Sequence, residues 1–123
     1  MSFTIRPSDD GNYILLEVHG EINRQLAMEY NLAAHALAKQ LGIDRFLMDL
    51  TDSRNVESVT SKYIFAYSDM KNTPGINRNA RVALLVNPDD HSHDFILTVA
   101  QNSGLNTTMF RDRQAAIEHL LKD

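Results

Sequence analysis

Arg81-Val82-Ala83-Leu84-Leu85-Val86 is the stretch that decides the fold of this 123-residue chain. Apolar residues follow one another from Val82 to Val86 without alternation, so both faces of the segment need to be covered. A strand buried on both faces is typical of a parallel sheet that has helices on either side. We therefore predict an α/β fold with this strand at the centre of the sheet.

The residues before this stretch predict a hairpin followed by a long helix. Two strand-like segments, Phe3 to Ile5 and Tyr13 to Val18, are separated by the turn residues Asp9-Asp10-Gly11-Asn12. An apolar stripe with helical spacing then extends from Ile22 to Leu41, and the next residue, Gly42, is suited to end a helix.

A strand and a second helix should follow. Phe46 to Leu50 is a short apolar run that is typical of a strand, and the polar segment Thr51 to Glu57 predicts a loop. Serine and threonine are preferred helix N-caps, so the second helix should begin near Ser58 or Thr60.

The C-terminal part predicts a third helix, a short strand and a last helix. Phe95, Ile96, Val99 and Ala100 should face the core from the third helix. Thr107 to Phe110 is the expected strand, and Asp112 is placed to cap the last helix. The resulting order is ββαβαβαβα, with a mixed, mostly parallel sheet of about five strands. We expect residues 1–123 to form a single domain.

Composition narrows the classes of function. Sixteen acidic and twelve basic residues give a net charge of -4, and the basic residues are scattered, which argues against nucleic-acid binding. We expect neither a signal peptide nor a membrane span, because no apolar run has the required length. The sequence has no cysteine, which excludes disulfides and fits a cytoplasmic protein. Protein partners and small ligands remain.

Several segments resemble bacterial STAS domains, and in particular the small stand-alone proteins called SpoIIAA-like. They are a strand ending in Leu47-Met48-Asp49-Leu50, the strand from Arg81 to Val86, a closing segment from Met109 to Ala116, and Gly20-Glu21-Ile22, which should open the first helix. The similarity covers nearly the whole chain. It implies a SpoIIAA-like fold and a non-catalytic role as a regulatory or protein-interaction module.

In signalling STAS proteins, a kinase phosphorylates a serine in an Asp-Ser-Ser-Gly-like turn that opens the second helix. The corresponding stretch here is Glu57-Ser58-Val59-Thr60-Ser61, which lacks the glycine and the paired serines in register. The resemblance implies Ser58 as the phosphoacceptor, with Thr60 and Ser61 behind it, and Arg54 to Ser61 as the surface that contacts a partner. The alternative is that Ser58 or Thr60 is simply an N-cap.

The second helix carries four large side chains, Tyr63, Phe65, Tyr67 and Met70, which cannot all face one direction. SpoIIAA-like folds also resemble the lipid-binding CRAL-TRIO domains in topology. That resemblance implies a second function, the binding of an apolar or lipid-like small ligand. The four side chains could line its pocket, contact a second subunit in a homodimer, or belong to an ordinary core.

Asp89-Asp90-His91-Ser92-His93-Asp94 has the residue types that bind divalent metals, with His91, His93 and Asp94 as candidate ligands. Two histidines separated by one residue at a helix start should diverge, however. Acidic residues and serine are also favoured in a first helical turn by the helix dipole. We therefore expect no metal site and no cofactor.

Carboxylates that follow strands offer an enzymatic alternative. Asp49, Asp52, Asp89 and Asp90 come after apolar strands, whose carboxyl ends converge on the ligand crevice of a parallel sheet. Together they could hold magnesium for phosphoryl chemistry. The sequence has no Gly-rich phosphate loop and no strand-end lysine, so we expect the protein not to be an enzyme.

Overall fold

The computed structural model describes residues 2–122, without the side chains of Ser2, Val59, Ala66 and Lys71. Within that range the predicted order ββαβαβαβα is confirmed, and the second helix consists of three consecutive pieces. The strands are β1 (Ser2–Pro7), β2 (Ile14–Ile22), β3 (Arg45–Asn55), β4 (Arg81–Val86) and β5 (Thr107–Phe110). The helices are α1 (Arg24–Leu41), α2 (Val59–Ile64), a π-helical turn (Phe65–Asp69), α3 (Met70–Asn72), α4 (Asp94–Asn102) and α5 (Arg113–Leu121). No helix in this range is long and apolar enough to cross a membrane.

The strands form one mixed sheet in the order β1-β2-β3-β4-β5. β1 is antiparallel to β2, and the other neighbouring strands are parallel. The middle strand is β3, so the prediction that β4 forms the centre is wrong. β4 is an interior strand with Ala83, Leu85 and Val86 buried, whereas all five residues from Phe46 to Leu50 of β3 are buried. An apolar run shows that both faces of a strand are covered, but it does not show the position of the strand in the sheet.

Alternate side chains of β3 point into two separate cores. We call residues 59–72, which comprise α2, the π-helical turn and α3, the second helical segment. Phe46 and Met48 pack with Ala34 of α1, on the face of the sheet that also carries this segment and α4. Leu47 packs on the opposite face with Leu120 of α5. The sheet is therefore covered by three helical elements on one face and by α5 alone on the other.

The boundary between β2 and α1 differs from the prediction. Gly20-Glu21-Ile22 does not open the first helix, because these residues continue the parallel pairing of β2 with β3, and Ile22 is buried. The helix begins at Arg24. Asn23 is its N-cap, and its side-chain oxygen accepts a hydrogen bond of 2.9 Å from the backbone N–H of Leu26.

The predicted loop Thr51 to Glu57 is also shorter than expected. β3 continues to Asn55, because its pairing with β2 extends beyond the apolar part of the strand. In α4, Val99 and Ala100 are buried as predicted, but Phe95 is 38% exposed and does not face the core. The predicted strand Thr107–Phe110 is confirmed.

His35 of α1 is buried next to Phe46, on the face of the sheet that packs against α1. Its ring stacks on Phe46 with centroids 4.3 Å apart, and its Nδ1 accepts a hydrogen bond of 3.0 Å from the backbone N–H of Asn77. Nδ1 therefore carries no proton, and the proton of the neutral ring lies on Nε2. Burial lowers the pKa of His35 to about 4 from its usual 6.5.

The free energy of unfolding should fall as the pH is lowered from 6.5 to 4. In that window the unfolded chain binds a proton at His35 that the folded chain does not, so acid favours unfolding by at most about 3 kcal/mol. Urea unfolding at several pH values measures this slope. His35→Asn keeps an acceptor for Asn77 and should make the slope shallower. An equal slope in wild type and His35→Asn would contradict the assignment.

Candidate functional site

The candidate site lies where β3 ends and the second helical segment begins. Asn55, the last residue of β3, is buried, and its side-chain oxygen accepts a hydrogen bond of 3.0 Å from the backbone N–H of Glu57. Its backbone N–H donates to Oγ of Ser92 at 3.0 Å. These two hydrogen bonds, to Glu57 and to Ser92, fix the backbone at the point where the chain leaves the sheet.

Glu57 connects the starts of two helices. Its Oε2 accepts a hydrogen bond of 3.0 Å from the backbone N–H of Arg24, and its Oε1 accepts one of 3.3 Å from the backbone N–H of Ser58. The bond from Arg24 is the main reason why the pKa of Glu57 lies below its usual value. A carboxylate that accepts backbone N–H groups at helix starts is stabilised by them and by the helix dipoles. Glu57 is thereby fixed as an anion.

Ser58 is the N-cap of α2, as the structural alternative predicted. Its Oγ accepts a hydrogen bond of 3.1 Å from the backbone N–H of Ser61, and Thr60 is exposed. A phosphate on Ser58 would enter a helix start where the carboxylate of Glu57 already accepts N–H groups, so the two anions would repel each other. Phosphorylation of Ser58 stays a prediction.

The four large side chains of the second helical segment divide into an inner and an outer pair. Phe65 and Met70 face the sheet and line a cavity. Tyr63 and Tyr67 lie on the outer side, 46% and 49% exposed. The expectation that the four cannot share one direction is confirmed. The two inner residues are joined by a backbone hydrogen bond from the N–H of Met70 to the carbonyl of Phe65, which closes the π-helical turn.

The cavity has a volume of about 100 Å³ and lies between this segment, α4 and the sheet. Its walls are mostly apolar side chains of β2, β3 and β4, with Ile96 and Ala100 of α4 and the inner pair Phe65 and Met70. The polar residues Asn31, Asn55, His93 and Thr107 also line it. No aspartate, glutamate, lysine or arginine is among its lining residues. Such a cavity is suited to neutral apolar groups.

The outer pair forms what we call the tyrosine face, defined as Tyr63 and Tyr67. The two rings are stacked, with centroids 5.2 Å apart and an angle of 11° between their planes. The residues are four positions apart, which is the spacing of neighbours on a helix surface. A stacked pair of half-exposed aromatic rings presents a continuous apolar area to the outside.

Polar contacts from Arg24 and Lys62 help to hold the segment to its neighbours. Arg24 of α1 binds the carboxylate of Asp69 through Nε at 2.7 Å and Nη2 at 3.0 Å. Lys62 of α2 donates through Nζ to the carbonyl of Ser92 at 2.9 Å. Sequence reasoning missed Arg24, Asp69, Ser92 and Asn55, because their partners lie 30 or more positions away and carry no local pattern.

His91 and His93 diverge, as expected. Nδ1 of His91 lies 2.9 Å from the carboxylate of Asp94 at the surface. His93 is buried, and its Nε2 donates to the carbonyl of Ser53 at 3.3 Å. Burial lowers the pKa of His93, although Ser53 and the carboxylate of Asp90 act in the opposite direction. His91, His93 and Asp94 therefore do not converge, and residues 2–122 contain no group of three potential metal ligands.

The four strand-end carboxylates proposed for magnesium are not brought together. Asp49 is paired with Arg113 of α5 and accepts hydrogen bonds from Thr51, at 3.1 Å from its backbone N–H and 2.7 Å from its Oγ1. The other three are separated from it: Asp52 pairs with His19, Asp90 accepts from Ser92, and Asp89 is exposed. The described residues therefore do not form the magnesium site that the enzymatic alternative requires.

The chain matches known proteins in its structure but not in its sequence. No protein-family model matches the chain, and no curated protein matches it. An uncharacterized protein of the DUF3478 family from Shewanella loihica PV-4, which has a SpoIIAA-like fold, matches with a TM-score of 0.57 and 18% identity, over 97% of this chain and 92% of that chain.

The anti-sigma factor antagonist SpoIIAA in its unphosphorylated form matches with a TM-score of 0.54 and 15% identity, over 97% of both chains. Identities of this size establish the architecture and not the activity. The sheet order, the flanking helices and these two likenesses agree with the resemblance seen in the sequence. The chain therefore has a SpoIIAA-like fold of the STAS type.

Proposed function

We propose that the chain is a non-catalytic interaction module of the cytoplasm, which binds a protein partner through the tyrosine face and the adjoining segment Arg54 to Ser61. One protein of similar fold is an anti-sigma factor antagonist, which is compatible with a regulatory role. Folds of this kind carry unrelated tasks, so the proposal depends on the site itself.

The observation that carries the proposal is the exposed, stacked pair Tyr63 and Tyr67. Tyrosine is enriched among the residues that dominate the energy of protein interfaces. It offers a large contact area and loses little conformational entropy on binding. The stacking also orders both rings before a partner arrives, which lowers that cost further.

The adjoining segment is preorganised in the same way. Asn55 accepts the backbone N–H of Glu57, Glu57 accepts those of Arg24 and Ser58, and Ser58 accepts that of Ser61. The exposed side chains of Arg54 and Thr60 are thus presented on a fixed backbone. A partner that binds here needs to order few groups, so more of the contact energy appears as affinity.

Replacing both tyrosines, Tyr63→Ala with Tyr67→Ala, should weaken binding of the partner at least about tenfold, because each tenfold corresponds to about 1.4 kcal/mol and central interface tyrosines contribute more. The partner is captured with the immobilised wild-type chain from the cells that make it, and the Kd is then measured by calorimetry.

The matched control is Leu121→Ala, which removes an apolar side chain that is 41% exposed on α5, on the opposite face of the sheet. It should leave the Kd unchanged. If the captured partner is a second copy of the chain, the same substitutions should abolish a homodimer in sedimentation. A double variant that binds as tightly as the wild type would disprove the proposal.

The cavity favours a second candidate function, the binding of a small apolar ligand. The cavity has a volume of about 100 Å³, and most of its walls are apolar. An apolar cavity of comparable size is known to stay dry and to take up xenon or benzene. The ligand class is neutral and apolar, because no Asp, Glu, Lys or Arg lines the space.

Xenon should enter this cavity and shift the ¹³C-methyl NMR signals of Met48 and Met70, which line it. The methyl group of Met109, which packs on the same core but does not line the cavity, serves as the control and should not move. Filling the space with Ala100→Leu should abolish the response. Unchanged Met48 and Met70 signals in the wild type under xenon pressure would rule out the cavity as a binding site.

A further inference from the structure

We infer that the ligand of the cavity is an apolar molecule with one hydroxyl group, which donates a hydrogen bond to Nδ1 of His93 and accepts one from Nδ2 of Asn55. Both residues line the cavity between the second helical segment, α4 and the sheet. This inference rests on the proposed binding of a small ligand in that cavity. It deepens that function by naming the polar group of the ligand and the two side chains that recognise it.

Asn55 and His93 are more deeply buried than two other polar residues of the lining, Asn31 and Thr107. Asn55 is 8% exposed and His93 is 3% exposed. Asn31 and Thr107 are partly exposed, and the amide nitrogen of Asn31 donates to the carbonyl of Ala27 at 2.7 Å. Water can satisfy a partly exposed polar group, whereas a buried polar atom without a partner costs free energy. Asn55 and His93 are therefore the lining residues at which a polar group of a ligand is stabilised most.

The free polar atom of Asn55 is a hydrogen-bond donor. Its Oδ1 accepts the backbone N–H of Glu57 at 3.0 Å, and this bond determines which end of the amide group is the oxygen. Nδ2 is the other end, and within residues 2–122 it has no hydrogen-bond partner. An amide nitrogen donates and does not accept, so the group that meets Nδ2 needs a lone pair.

The free polar atom of His93 is an acceptor. Its Nε2 lies 3.3 Å from the carbonyl oxygen of Ser53 and 3.6 Å from Oδ2 of Asp90. Both neighbours are acceptors, so Nε2 carries the proton of the ring. Burial lowers the pKa of His93, and the ring is therefore neutral at pH 7. Nδ1 then has a free lone pair, to which no residue in the described range donates.

The two free atoms belong to neighbouring residues at the end of β3. Ser92 and His93 are consecutive, and both are bonded to this end of the strand: Oγ of Ser92 accepts the N–H of Asn55, and the ring of His93 donates to the carbonyl of Ser53. A donor next to an acceptor matches a hydroxyl group, which can accept one hydrogen bond and donate another.

Charged groups fit this place poorly. An anion would face the lone pair of Nδ1 of His93, and a cation would face the N–H groups of Asn55. No Asp, Glu, Lys or Arg lines the cavity to compensate for a buried charge. The rest of the lining is mostly apolar, with residues such as Met48 and Phe65, so the body of the ligand is apolar.

Phenol and toluene test this inference, because they have nearly the same size and shape and differ by a hydroxyl against a methyl group. A wholly apolar cavity should bind toluene more tightly, since the hydroxyl of phenol loses its hydrogen bonds to water. We expect phenol to bind at least about fivefold more tightly than toluene, because toluene leaves both polar atoms unpaired. The Kd values are measured from the methyl NMR signals of Met48 and Met70.

The ¹⁵N signal of Nδ1 of His93 gives an independent measurement in the same titrations. It should shift toward that of a hydrogen-bonded nitrogen with phenol and should not do so with toluene. If toluene binds and phenol binds equally or more weakly, the hydroxyl assignment is overturned, and the cavity stays a site for wholly apolar ligands. If neither compound binds, both the assignment and the proposed ligand binding are overturned.

Asn55→Ser tests the donor. Serine can still accept the backbone N–H two positions ahead, that of Glu57, but it lacks the amide nitrogen. The ratio of the toluene Kd to the phenol Kd should fall at least about fivefold. Asn31→Ser, the same change at the partly exposed asparagine of the lining, should leave the ratio unchanged. Toluene binding by each variant shows that its cavity is intact. An unchanged ratio in Asn55→Ser would contradict the role of Asn55.

Discussion

The apolar side chains of β3 alternate between two helical layers, and this alternation determines on which face of the sheet each helix packs. Phe46, Met48 and Leu50 point to the layer of α1, and Leu47 points to α5. Burial of a large apolar side chain contributes about 1.5 to 3 kcal/mol, so a strand that is buried on both faces holds the sheet and both layers in one register. Its polar end, Ser53 to Asn55, then emerges where the second helical segment starts.

The two faces of the sheet are packed differently, and the candidate site lies on the face that is less tightly packed. On one face, α5 fills its core with Ala116 and Leu120, which are completely buried. On the other, the second helical segment covers a cavity and contributes no fully buried described side chain. Stability is concentrated around β3, and the segment that carries the candidate site is held by a cap and a few polar contacts. Segments of this kind are the ones from which binding and switching elements are drawn.

Local patterns in the sequence predicted the parts of the fold that depend on local chemistry. Thr107 to Phe110, the cap residue Asp112 and the N-cap Ser58 are examples, because strand propensity and capping act over a few residues. The position of β4 was wrong, and the end of β2 at Ile22 was missed. Both depend on which strands pair, and pairing partners are far apart in the chain.

The candidate site was predictable only in part, for the same reason. Glu57 and Ser58 were recognised from their place before a helix, but the contact between Glu57 and Arg24 joins residues 33 positions apart. The cavity could not be predicted, because a hydrophobic pattern tells which side chains face inward and not whether they fill the space. The π-helical turn has no reliable sequence signal, and it decides that Met70 lies inside with Phe65.

Native-state hydrogen exchange tests most directly the claim that a rigid sheet carries a loosely held functional segment. The account predicts that the backbone amides of residues 46–50 are among the slowest to exchange. Those of residues 65–72 should exchange at least about ten times faster through local opening, a difference of about 1.4 kcal/mol or more. Equal protection of the two segments would contradict the account, because the segment over the cavity would then open only when the whole chain unfolds.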